Sequence, residues 1–191
     1  MISEQMQQLI NHLISVELGS AYLYLAMANY FTRLNLMGMA SWLRIQTDEE
    51  RGHADRLLTF LADRGGVAEI RAIPAQPVNF GSPLEAWQKV LSHEQFVTQN
   101  YQQAYDMAMK AQDYQAAAIF QDFLREQVDE TAQSMRVVGR LQLARDNTAA
   151  LLMLDQELGQ REAAAGAAAP APAAGAAPAG GAAAGGAAAG G

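Results

Sequence analysis

Glu17, Glu50, His53, Glu94, Gln127 and Glu130 recur at a fixed spacing that restricts the architectures open to this chain. Glu17 and Glu50 stand 33 positions apart, as do Glu94 and Gln127. An offset of 77 carries Glu17 onto Glu94, Tyr24 onto Tyr101, Glu49 onto Glu126, Glu50 onto Gln127 and His53 onto Glu130. Each position falls within a stretch whose apolar residues repeat with helical period. The chain therefore reads as two copies of a helical hairpin, each presenting carboxylate-type ligands to one shared interior. A two-metal site in a four-helix bundle is built this way.

The helical stretches have legible ends. Ser3 offers an N-cap, and apolar residues follow through Leu9, Leu13, Val16, Tyr24, Met27 and Phe31 to a first helix end near Arg33, with Asn35 in the turn. A second helix is expected from about Leu36 to Arg64, stopped by Gly65-Gly66. Ser82-Pro83-Leu84-Glu85 opens a third with a capping box and a proline at its first position. That helix breaks around Gln112-Asp113, and a fourth runs to about Arg145. Asp146-Asn147-Thr148 forms a turn and cap, and Ala149 to Leu158 makes a short apolar fifth helix stopping at Gly159.

Val67 to Ser82 lacks helical period and carries Pro74, Pro77 and Gly81. Helices of this length run roughly 40 Å, and an extended connection of this length reaches up to about 55 Å. The segment can therefore travel the whole bundle and start the third helix parallel to the second. The expected fold is all-α: a four-helix bundle with one long crossover and a short fifth C-terminal helix.

Residues 163–191 contain only Ala, Gly and Pro, so every charge and every aromatic belongs to residues 1–162, which form the expected domain. The tail interrupts alanine's helix propensity with glycine and proline and is expected to be disordered. The absence of cysteine removes disulfides and thiolate-ligated iron and fits a cytoplasmic protein. No signal peptide or membrane span is apparent. The net charge of −7 argues against nucleic-acid and anionic-membrane partners.

Buried carboxylates are unfavourable unless paired or bound to metal. Glu17 lies on the face of Leu13, Tyr24 and Phe31, Glu94 lies between Leu91, Val97 and Tyr101, and the other four interrupt the remaining two stripes. Glu50 and His53, at i and i+3, can reach one metal. Four carboxylates and one imidazole call for about two divalent cations, and mixed oxygen and nitrogen ligation suits iron, manganese or zinc. The competing reading is a metal-free polar network in which Arg56 or Tyr24 satisfies the acids.

The motif Glu17, Glu50-x-x-His53, Glu94, Gln127-x-x-Glu130, with the five-helix layout, resembles that of the bacterial non-haem ferritins. The resemblance implies a di-iron ferroxidase centre with Glu17 and His53 on the first iron and Glu50 bridging. Glu94 would hold the second iron with Glu130 nearby, Gln127 would orient water or the oxygen adduct, and Tyr24 would hydrogen-bond the site and could donate an electron. A third, adjoining iron site would fall at Glu49, Glu126, Asp129 and Glu130, where Asp129 is one methylene shorter than the usual glutamate. The resemblance further implies Fe2+ and dioxygen as substrates and a homo-oligomeric shell of 24 subunits. The fifth helix, with its Leu151 to Leu154 run, would meet its copies at a fourfold axis or dock on its own bundle.

Some features depart from relatives of that family. Bacterioferritins carry a second Glu-x-x-His on the fourth helix and a haem-binding methionine after the bridging glutamate. Here those positions hold Gln127-x-x-Glu130 and Arg51, so no haem is expected. His12 and His93 have no partner in the repeat and read as surface or interface residues. Two other functions remain open at this stage: a di-iron or di-manganese enzyme that stores nothing, and a metal-buffering bundle that consumes no dioxygen.

Overall fold

The computed structural model describes residues 2–161. They form five helices: α1 (Glu4–Arg33), α2 (Met37–Asp63), α3 (Pro83–Lys110), α4 (Tyr114–Ala144) and α5 (Thr148–Gly159). No strand occurs among the described residues. None of these helices is long and apolar enough to cross a membrane. The expectations for residues 163–191 lie outside the described residues.

Capping chemistry sets the boundaries. The Ser3 side chain accepts from the Met6 amide at 3.2 Å. Ser82 and Glu85 form the reciprocal capping box, with Pro83 following. Asp113 accepts from Ala116 at 3.1 Å, and Asn147 from Ala150 at 3.2 Å. Between helices the chain turns through left-handed residues: Asn35 at φ 58°, Gly65 at 72° and Gln112 at 55°.

α1 packs against α2 and α3 against α4, and α1 also meets α3. The crossover, residues 64–82, lies along α1. Near the start of α1, Gln7 accepts from the Val67 amide at 2.9 Å, while Asn11 donates to the Val67 carbonyl at 3.0 Å and accepts from the Glu69 amide at 2.8 Å. At the far end, Arg33 donates to the Val78 carbonyl and the Tyr30 hydroxyl to the Gly81 carbonyl. From Gln7 to Arg33 is roughly 39 Å of helix, so the connection spans the bundle and starts α3 parallel to α2.

Two apolar clusters divide the interior. One gathers Met27, Phe31, Trp42, Leu43, Trp87 and Val90, and the other Ile10, Leu13, Leu57, Val97, Phe120 and Phe123. Burying each large apolar side chain contributes about 1.5–3 kcal/mol. The polar set lies between the two clusters, so apolar packing closes it off above and below along the bundle axis. Trp42 and Trp87, the chain's two tryptophans, meet edge-to-face at 4.9 Å.

α5 docks on its own bundle. Leu154 is buried, and Leu151 and Leu158 pack beside it, while Leu152 and Met153 on its other face stay exposed. Leu36, at the α2 N-cap, offers no side-chain cap. Asp155 supplies it from α5, accepting from the amides of Gly38 at 3.1 Å and Met39 at 2.8 Å. The helix stops at Gly159, as expected, with that glycine as its last residue. A Cβ there would lie 3.2 Å from the Gly38 Cα, and one on Gly38 would lie 1.6 Å from the Asp155 carbonyl oxygen. Both glycines therefore serve the close approach of two helices.

Candidate metal centre

Each of the four long helices contributes at mid-length. α1 supplies Glu17, α2 Glu50 and His53, α3 Glu94, and α4 Gln127 and Glu130. Glu17, Glu50 and Glu94 are fully buried, and Gln127 nearly so. His53 and Glu130 are partly buried.

Glu17, Glu50 and His53 form one half of the set. Their ligand atoms all lie within 4.8 Å of one another. The His53 Nδ1 is 3.3 Å from Glu50 Oε2 and 3.7 Å from Glu17 Oε2. Glu94, Gln127 and Glu130 form the other half. The Gln127 amide nitrogen donates to Glu94 Oε2 at 3.3 Å and to Glu130. Gln127 is itself held by the Thr98 hydroxyl, which donates to its oxygen at 3.0 Å.

Two tyrosines hydrogen-bond the set across the α1–α3 approach. Tyr24 donates to Glu94 and Tyr101 donates to Glu17, in keeping with the 77-residue repeat. Tyr101 and Thr98 had no role in the sequence reading. The offset pairing Tyr24 with Tyr101 was the available signal for the first, and nothing marked the second. The metal-free alternative is met in part, since Tyr24 satisfies one oxygen of Glu94. It fails at Glu17 Oε2 and Glu50 Oε1, buried oxygens that accept no hydrogen bond among the described residues.

The electrostatics follow from this crowding. Burial would raise the Glu17 carboxyl, but the neighbouring His53 and Glu50 side chains outweigh it and hold Glu17 below the ordinary value. Burial drives Glu50 well above that value despite its His53 hydrogen bond, and the Glu17 charge adds to the rise. Glu94 is raised by burial against its Tyr24 and Gln127 hydrogen bonds. Burial and the Glu94 charge push Glu130 up to about 8. Burial opposes the charged form of His53, yet Glu17 and Glu50 raise it to about 11. The folded protein thus holds protons in this layer that a divalent cation would displace.

The acids expected to hold a third metal have other partners. The Arg161 guanidinium donates to Glu49 at 2.9 and 3.0 Å and to Gln46 at 2.7 Å. Arg56 donates to both oxygens of Glu126, at 2.7 and 2.9 Å. Asp129 is exposed, while Glu130 faces Gln127. His12 is exposed and bonds Asn100 at 2.8 Å. His93, expected at the surface or an interface, is instead partly buried beside the centre. Its Nε2 is 2.7 Å from the Ser20 hydroxyl, and its ring meets Tyr24 edge-on at 5.7 Å. Burial lowers its proton affinity, so it stands neutral behind Tyr24.

The ferritin-like domain family matches residues 7–144. A bacterial non-haem ferritin of Bacteroides fragilis is 37% identical over 161 residues, 84% of this chain and 100% of that protein. Its counterpart in Staphylococcus aureus is 33% identical, covering 84% of this chain and 97% of its own. Among solved structures, an open-pore ferritin from the archaeon Archaeoglobus fulgidus superimposes with a TM-score of 0.82 at 38% identity, covering 83% of this chain and 98% of that one. An engineered closed form of that ferritin gives 0.81 at 39%, covering 83% and 97%. Sequence and architecture agree over the four long helices that carry the buried ligand set, and on that ground this chain belongs to the ferritin family.

Proposed function

We propose that this chain is a cytoplasmic iron store. In this reading it oxidises Fe2+ with dioxygen at the mid-bundle centre and holds Fe3+ as mineral inside a shell of 24 copies. Family membership supports iron storage. The observation that carries the ferroxidase step is the pair of buried, unpartnered oxygens, Glu17 Oε2 and Glu50 Oε1, beside His53. Buried carboxylate oxygens without donors are strongly unfavourable, and a cation removes the penalty.

Glu17, Glu50 and His53 would hold one Fe2+, and Glu94, with Glu130 nearby, would hold a second that Glu50 bridges to the first. Each Fe2+ would lose one electron, and one dioxygen would take both electrons with two protons and leave as hydrogen peroxide. The carboxylates stabilise the higher charge of the Fe3+ product.

Storage requires a shell, and exposed apolar side chains are available to build one. Leu143, Leu152 and Met153 lie on α4 and α5, Tyr22 and Leu25 on α1, and Val67, Ile70 and Val78 on the crossover. The test is aerobic loading with excess Fe2+, followed by sizing with iron detection. Iron eluting with a very large particle supports the proposal. A single pair of irons on a small oligomer would move the protein to the di-metal enzymes. Glu50→Ala should abolish oxygen consumption, and unchanged consumption would remove the ferroxidase step.

A further inference from the structure

The two nitrogens of His53 face different groups. Nδ1 is turned to Glu17 and Glu50, while Nε2 lies 3.2 Å from Glu126 Oε2 on α4. Glu126 is in turn gripped by Arg56 of α2 through both oxygens. The Arg56 guanidinium carbon lies over the Phe123 ring, 4.3 Å from its centroid, and Phe123 meets the His53 ring edge-on at 5.3 Å. The imidazole is thus held by an aromatic ring on one side and a carboxylate at its far nitrogen.

We infer that Glu126, anchored by Arg56, is a positioning residue that accepts the His53 Nε2–H and so keeps the Nδ1 lone pair aimed at the metal between Glu17 and Glu50. A neutral imidazole carries one proton, and its place is set by the hydrogen bond made at the other nitrogen. A carboxylate at Nε2 fixes the Nε2–H tautomer, orients the ring and raises the basicity of the ligating nitrogen. Glu126 cannot bind the metal at Nδ1 itself, because the two ring nitrogens point apart. Its own charge is met by Arg56. This assignment rests on reading Glu17, Glu50 and His53 as a metal site, and it gives Glu126 a role other than ligand of a third ion.

The test is anaerobic Co2+ titration of the intact assembly, followed by calorimetry and visible absorption. No binding to the unaltered protein would fail the metal-site reading itself. If that protein binds, Glu126→Ala should weaken the tightest Co2+ equivalent by about 10–100-fold and alter its ligand-field bands. Glu126→Gln should recover most of the affinity, because the amide oxygen still accepts from Nε2–H. Arg56→Gln should give a smaller loss, since the carboxylate remains without its anchor. An unchanged tightest equivalent in Glu126→Ala overturns the inference. So does loss of a separate, weaker equivalent in both Glu126 variants, the behaviour of a metal ligand.

Discussion

Without metal, the His53 imidazole keeps its proton up to about 11 and the Glu130 carboxyl up to about 8. Both values are raised above those of the unfolded chain, so each group contributes stability that is complete below its unfolded value. For Glu130 that contribution fades as pH rises from 4.5 to about 8, and for His53 from 6.5 to about 11. Metal binding runs the other way, because the ligands must give up these protons. Metal-free protein should therefore melt lower at pH 8 than at pH 5, while the gain in Tm on adding Zn2+ should widen. Calorimetry at pH 7 in buffers of different ionisation enthalpy should detect more than one proton released per subunit filled. A Zn2+ gain that shrinks with pH would contradict the protonated layer. The six residues of this layer were legible because they repeat and interrupt apolar stripes. Glu126 was legible only as the repeat image of Glu49 and a candidate ligand of a third ion. Its role depends on Arg56, 70 positions away on another helix, a relation that periodicity does not encode.

The helices differ in how their ends are secured, and α5 carries the least obvious duty. α1, α3 and α4 begin with caps adjacent in sequence; Ser3 and Ser82 were readable as caps, whereas Asp113 was read only as part of a helix break. α2 begins at a residue without a side-chain cap, and Asp155 completes it from a helix more than a hundred positions later. Gly159 was read as a helix stop, which it is, but its second role was hidden, because a glycine after an apolar run looks the same whether or not it also admits a neighbour. Gly38→Ala tests the packing. The new methyl would overlap the Asp155 carbonyl, which is backbone and cannot rotate aside. Overpacking of this kind costs about 1–3 kcal/mol, and moving α5 away also removes a cap worth about 1 kcal/mol. Thermal unfolding should show a fall in Tm of several degrees, and an unchanged Tm would mean that α5 does not hold this position in solution.

At the scale of the whole molecule, the bundle closes its own core but leaves apolar surface at the α4–α5 end. Leu143 is 85% exposed and Met153 70%. If copies of the chain bury these residues, Leu143→Glu with Met153→Glu should lower the particle mass on sizing while helicity by circular dichroism stays the same. A full-sized particle would place the contacts elsewhere. The two tryptophans bear on the molecule in another way. Trp42 precedes Glu50 by eight positions and Trp87 precedes Glu94 by seven, roughly 10–12 Å along their helices. Since no other tryptophan exists in the chain, all indole fluorescence arises from that one contact. Bound Co2+ or iron within this range should quench the emission as the centre fills, and further metal bound at distant surfaces should leave it nearly level. The protein therefore contains an unlabelled optical gauge of its own centre, able to time the arrival of the first ions separately from the growth of any mineral.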